Sequence, residues 1–204
     1  RKQTKLPLIV DAGSGCLTSF DKFNMPLETI TKDYFKNGAD IVMFSGDKLL
    51  GGPQSGIIAG KKKYIDLIKK NPLYRVLRAD KLTFSLLEGI LRTYKTDYSF
   101  YDNNLTLNLL TRDRSSLQSF GNKILSKIPS KLIKKYGVNL IDTMVEAGSG
   151  AMPVNSIESK GIIFNSNKIS PNKLSQKFRL ASIPVIGYIK DGNYIIDLKA
   201  IPSD

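Results

Sequence analysis

Ile41-Val-Met-Phe-Ser-Gly-Asp-Lys48 is the stretch on which the fold turns. Residues 41–44 are apolar without interruption, as in a strand buried on both faces, and Ser45-Gly46 closes the run with a turn. Upstream, residues 6–10 form a similar apolar run that ends at Asp11 and the turn Gly13-Ser14-Gly15. Between them, residues 26–36 switch to helical spacing, with Leu27, Ile30 and Tyr34 on one face and Asn37-Gly38 as the stop. Strand, helix and strand in that order imply parallel strands joined by a right-handed crossover. The expected class is therefore α/β.

Further along, residues 56–60 read as a third short strand, followed by a lysine-rich helix over 61–70. Asn71-Pro72 signals a new helix, because Asn caps and Pro fits the first helical position. That helix is expected to carry Arg75 and Arg78, and Asp80 to begin another running to Tyr94. The polar patch 101–104 reads as a domain boundary, giving domains 1–104 and 105–204. The second half is expected to be a smaller α+β unit. It holds a long helical stretch over 105–136, a strand over 138–145, the turn Gly148-Ser149-Gly150 and a strand over 161–164. A helix over 172–180 and a hairpin around Asp191-Gly192 complete it.

Composition narrows the function. The 204 residues contain no histidine and one cysteine, Cys16. A disulfide framework, a zinc site and a serine–histidine triad are poor fits, and no metal is expected. The lone cysteine fits a reducing cytoplasm, and no apolar run suits a membrane span. With 31 Lys+Arg against 18 Asp+Glu, the net charge is +13, which favours anionic partners. The chain starts at Arg1 and enters a strand almost at once, which reads as a fragment of a larger protein.

In open α/β sheets, ligands bind beyond the carboxyl ends of the strands. Asp11 and Lys48 stand at two such ends. Pyridoxal phosphate needs a lysine for its aldehyde and a carboxylate beside its pyridine nitrogen, and these two residues suit those roles. Ser45 offers a hydroxyl for the phosphate, and Gly51-Gly52 offers backbone without side chains. A nucleotide-hydrolase phosphate loop is excluded at Gly60-Lys61. Ser55 stands where that motif needs glycine, and Lys62 where it needs Ser or Thr.

The run Ser45-Gly-Asp-Lys-Leu-Leu-Gly-Gly-Pro-Gln54, continued by Ser55-Gly-Ile-Ile-Ala-Gly-Lys61, resembles the cofactor-lysine segment of bacterial selenocysteine synthases. Val10-Asp-Ala-Gly-Ser-Gly15 and Leu73-Tyr-Arg-Val-Leu-Arg-Ala-Asp-Lys-Leu-Thr83 are similar to flanking motifs of that family. Pro153 and Ile183-Pro-Val-Ile-Gly-Tyr188 match its C-terminal domain. The resemblance implies part of a fold-type-I large domain plus a small C-terminal domain. It makes Lys48 the Schiff-base lysine and Asp11 the partner of the pyridine nitrogen. It makes Asp47, Arg75 and Arg78 active-site residues, with the arginines serving the selenium donor's anion; three apart on one helix face, both would reach one oxyanion.

The implied activity converts seryl-tRNA(Sec) to selenocysteyl-tRNA(Sec). The seryl hydroxyl is eliminated, leaving an aminoacrylyl-tRNA, to which selenium from selenophosphate adds. A cytoplasmic homo-oligomer is implied as well. Family members are considerably longer, so this chain alone is not expected to be a competent enzyme. Two rivals stay open: a related lyase acting on a small phosphorylated substrate, and a truncated, non-catalytic RNA-binding homologue. Such lyases tend to have glycine before the lysine, where Asp47 stands here.

Overall fold

The computed structural model describes residues 6–23, 25, 28–96, 100–148 and 156–202. The expected helix start at Pro26, its face residue Leu27, most of the turn at 148–150, and Pro153 lie outside these residues. The chain divides into two compact units. Of the described residues, the first holds those up to Thr111 with Ala147 and Gly148. The second holds 112–146 and those from Ser156 on. The division falls one helix beyond the boundary at 104/105 expected from the sequence.

The first unit is built on β1 (Ile9–Gly13), β2 (Ile41–Ser45) and β3 (Gly56–Gly60), in that spatial order. β1 and β2 are parallel, joined through α1 (Thr31–Lys36). β3 runs antiparallel to β2, unlike the parallel pattern expected of this half. The physical reason is the connection: residues 46–55 form a loop without a crossover helix, so the chain turns back on itself. Val10, Ala12, Val42, Phe44, Ile57 and Ala59 pack with Tyr34 and Phe35 of α1 on one face of this sheet. Alternation along the strands puts Asp11, Met43, Ser45 and Ile58 on the other.

Beyond β3 the unit is helical: α2 (Lys62–Lys70), α3 (Pro72–Leu77), α4 (Lys81–Thr96), α5 (Phe100–Asn103) and α6 (Leu105–Thr111). Asn71 caps α3 by accepting from Leu73 N at 2.9 Å, and Asp80 caps α4 by accepting from Thr83 N at 2.8 Å. The patch at 101–104 is not a linker, since Tyr101 and Asn104 are buried in this unit.

The second unit is a four-stranded antiparallel sheet, β4 (Val138–Val145), β5 (Ile157–Phe164), β7 (Asn193–Asp197) and β6 (Tyr188–Lys190) in spatial order. Its helices are α7 (Arg114–Ser126), α8 (Ser130–Tyr136) and α9 (Pro171–Arg179). The long helix expected over 105–136 is thus three helices. Asp113 starts α7 by accepting from Ser116 N at 2.6 Å, and Pro129 precedes α8. The β6–β7 hairpin turns at Asp191 (φ 49°) and Gly192 (φ 72°), the left-handed pair of a tight hairpin.

Candidate active site

The carboxyl end of β1 is irregular. Register slips between Asp11 and Gly13, so Ala12 is a bulge against β2. Asp11 lies inside the strand, opposite Met43, whereas the sequence places it just past the end. Gly13 takes φ 62°, and its N–H donates to Asp11 Oδ1 at 3.1 Å. The exposed Asp11 side chain therefore sits at the top of the sheet, on the same face as Ser45.

Lys48 follows β2 in a tightly held loop. Gly46 N donates to Ser55 O and Gly52 N to Gly46 O, both at 2.8 Å. Gly51, at φ 73°, donates its N–H to Lys48 O at 2.9 Å. Leu49 and Leu50 are buried and anchor the loop from below. Leu49 N donates to Ser14 O at 3.1 Å, which ties the loop after β2 to the loop after β1. Leu50 O accepts from Tyr94 Oη at 3.0 Å and from Asn104 Nδ2 at 2.9 Å. With its two neighbours pinned, Lys48 stays half-buried, and its ammonium makes no ion pair among the described residues. Backbone hydrogen bonds thus hold the loop that carries Lys48.

The glycines act differently from expectation. The N–H groups of Gly51 and Gly52 are already engaged within the loop. Their contribution is shape: with Pro53 they line one wall of an open pocket of about 400 Å³, opposite Ser85, Leu86, Gly89 and Ile90 of α4. The Ser45 hydroxyl makes no hydrogen bond among the described residues and is available to a ligand. Asp47 is exposed beside Lys48.

Arg75 lies in the last turn of α3, but Arg78 is its C-cap, with extended backbone (φ −64°, ψ 128°). The helical spacing invoked for this pair does not hold, because Asp80 starts the next helix and the chain must leave α3 first. Both arginines are exposed, without an ion pair among the described residues. Sequence reasoning missed Ser14, Glu28, Tyr94 and Asn104. Their roles depend on partners 14 to 54 residues away, which no local pattern carries. Among the described residues no cluster of His, Cys, Asp and Glu could hold a metal, and no helix is long and apolar enough to cross a membrane.

The parallel β1–β2 pair with its helices, and the α+β unit, are those of a partial fold-type-I domain. The solved structure of D-glucosaminate-6-phosphate ammonia-lyase has this fold. It matches with a TM-score of 0.59 at 18% identity, over 98% of this chain and 46% of that one. The family model described as "SelA: L-seryl-tRNA selenium transferase" matches residues 1–202, and the chain belongs to that family. The L-seryl-tRNA(Sec) selenium transferase of Geobacter sulfurreducens is 34% identical over 203 residues, covering 100% of this chain and 44% of the relative. That of Clostridium botulinum is 36% identical over 197 residues, covering 97% and 42%. That of Proteus mirabilis is 34% identical over 206 residues, covering 100% and 44%. The chain thus spans less than half the length of these relatives.

Proposed function

We propose that the protein to which this chain belongs uses pyridoxal phosphate to convert seryl-tRNA(Sec) to selenocysteyl-tRNA(Sec), with selenophosphate as donor. It would do so in the cytoplasm, as a homo-oligomer. The observation that supports the reading is that Lys48 follows the carboxyl end of β2 while Asp11, within the neighbouring parallel strand β1, is exposed on the same sheet face as Ser45. When bound, the cofactor supplies an electron sink for a carbanion at the seryl α-carbon.

The chain's own residues would do the rest. Lys48 holds the cofactor's aldehyde through its Nζ and, once released, takes the α-proton of the seryl group. Asp11 keeps the pyridine nitrogen protonated. Ser45 donates to the phosphate, while Gly51 and Gly52 keep that wall of the pocket free of side chains. Asp47 stands next to the reacting lysine, and Arg75 and Arg78 hold the donor anion. Family membership favours this reading over a lyase on a small phosphorylated substrate, since the ammonia-lyase likeness at 18% identity reaches only the fold.

The test is borohydride reduction of the whole protein in the presence of pyridoxal phosphate, followed by peptide mapping. Label on the peptide containing Lys48, and none in Lys48→Ala, is the expected result. Label confined to another lysine would sink the assignment.

A further inference from the structure

We infer that the helical layer of the second unit, α7, α8 and α9, is a docking surface for the phosphate backbone of RNA. All three helices cover one face of the four-stranded sheet. Val138, Ile162 and Leu198 meet Leu117 and Ile133 from α7 and α8, and Tyr194 and Ile196 meet Leu174 and Phe178 from α9. Strand register puts Val138, Phe164 and Tyr194 in one row on that face.

On this layer the charges are segregated by sign. Between Asp113 and Asp142 the sequence has no carboxylate, and α7 and α8 with their linker carry Lys123, Lys127, Lys131, Lys134 and Lys135. Between Glu158 and Asp191 there is again none, while Lys173, Lys177 and Arg179 stand on α9. All eight are exposed, and none makes an ion pair among the described residues. Asp113 caps the start of α7, away from these lysines in sequence; on the strands, Asp142 on β4 pairs with Arg114 and Lys160, and Asp197 on β7 accepts from Ser159 and Thr143 hydroxyls. The first unit is mixed. There Lys36, Lys61, Lys62 and Arg92 each pair with a carboxylate, but Lys63, Lys69 and Lys70 on α2 make no ion pair among the described residues.

Helix stability explains only part of this. Cations in the last turns of α8 and α9 complement the helix dipole, but Lys131 and Lys173 lie in first turns, where a cation is disfavoured. Like charges gathered on one layer repel within a Debye length of about 10 Å, a cost that a polyanion removes. The identity of that polyanion rests on the proposed function, in which the substrate is carried on a tRNA. Leu180, Ile183 and Ile186 are also exposed in this unit, so an anionic membrane is the competing occupant to test.

The experiment measures binding of a fluorescent serine tRNA transcript to the whole protein over a range of salt. One variant combines Lys131→Gln, Lys134→Gln and Lys173→Gln; a control combines Lys63→Gln, Lys69→Gln and Lys70→Gln on α2. The first should lose about tenfold or more in affinity near 0.1 M salt, and its log–log salt slope should fall by about 1 per phosphate-contacting lysine. Replacing the same three residues by arginine should restore both. The control should stay within about twofold of the parent. An unchanged slope, or an equal loss in the control, overturns the proposal. So does a loss of binding to phosphatidylglycerol vesicles with tRNA binding intact. Borohydride labelling of Lys48 in the same variants separates the two readings: its failure in the parent removes the proposed chemistry and leaves the surface standing on its own binding data.

Discussion

The Ser14 hydroxyl donates to Glu28 Oε1 at 2.5 Å while the Ser14 carbonyl accepts from Leu49 N at 3.1 Å. One buried serine thus links a carboxylate in the loop after β1 to the residue next to Lys48. Ser14→Ala removes the donor and leaves Glu28 partly unsatisfied, at a cost of about 1–3 kcal/mol. Urea unfolding should register that loss, and borohydride labelling at Lys48 should slow with it. Glu28→Gln keeps an acceptor and should lose less. A Ser14→Ala protein as stable as the parent would make this link incidental.

Asn104 and Gly51 should be energetically coupled. The buried Asn104 amide donates to Leu50 O and its Oδ1 accepts from Leu107 N at 3.2 Å, so Asn104→Ala should cost about 1–3 kcal/mol. Gly51 has φ 73°, and a Cβ there would meet Asn104 Nδ2 at 2.6 Å. Gly51→Ala therefore incurs backbone strain and a clash together, on the order of 2 kcal/mol or more. In the double variant the clash is relieved, so the two losses should sum to more than the measured loss. A double-mutant cycle with strict additivity would refute the coupling.

The alkaline edge of stability should depend on Cys16. Burial pushes its thiol up to about 11, from an ordinary value of 9.0; a backbone hydrogen bond at Thr18 opposes the rise, and the nearby Glu28 carboxylate adds to it. A group whose folded pKa is raised stabilises fully below its unfolded value, and that stability is lost as pH climbs through the folded value. Between pH 9 and 11 the parent should therefore lose up to roughly 2–3 kcal/mol that Cys16→Ala does not. Tyr94, raised by burial and by the neighbouring Cys16 thiolate, begins to contribute above its ordinary value of 10.0, so the effect of Cys16 alone is read between pH 9 and 10. Equal slopes for parent and variant across that window would contradict the assignment.

Local pattern made some of the fold legible and hid the rest for identifiable reasons. The apolar run at 41–44 and the alternation at 138–145 became β2 and β4, because burial fixes such segments by themselves. The Asp191-Gly192 signal became a hairpin because its backbone angles are local. By contrast, β5 starts at Ile157, well before the expected 161. Polar Ser159 and Lys160 hide that start, and their partners Asp197 and Asp142 belong to other strands. The helix expected over 26–36 is α-helical over Thr31–Lys36, where Thr31 is held by the Cys16 carbonyl. At the site, Lys48 and Asp11 could be picked out as chemistry-bearing types at strand ends. The bulge at Ala12 and the Ser14–Leu49 tie arise only when β1 meets β2, so no one-dimensional pattern carries them.

The two arginines offer the sharpest remaining test of the donor assignment. Arg75 ends α3 and Arg78 follows on extended backbone, so the two guanidiniums are not held by a common helix face. Their gathering on one oxyanion would then have to come from the ligand rather than from a preset pair. Preorganisation being absent, each arginine should contribute separately, and Arg75→Lys and Arg78→Lys should weaken selenophosphate use independently. Charge-assisted hydrogen bonds are about twice as strong as neutral ones, and lysine keeps the charge but loses the planar fork. A loss on the order of tenfold in each variant is therefore expected, with Lys48 labelling unchanged. The whole protein should be assayed with separate titrations of selenophosphate and seryl-tRNA. Weakened donor dependence with intact tRNA dependence supports the assignment. Normal donor dependence in both variants returns Arg75 and Arg78 to the solvated surface on which they stand in the unliganded chain.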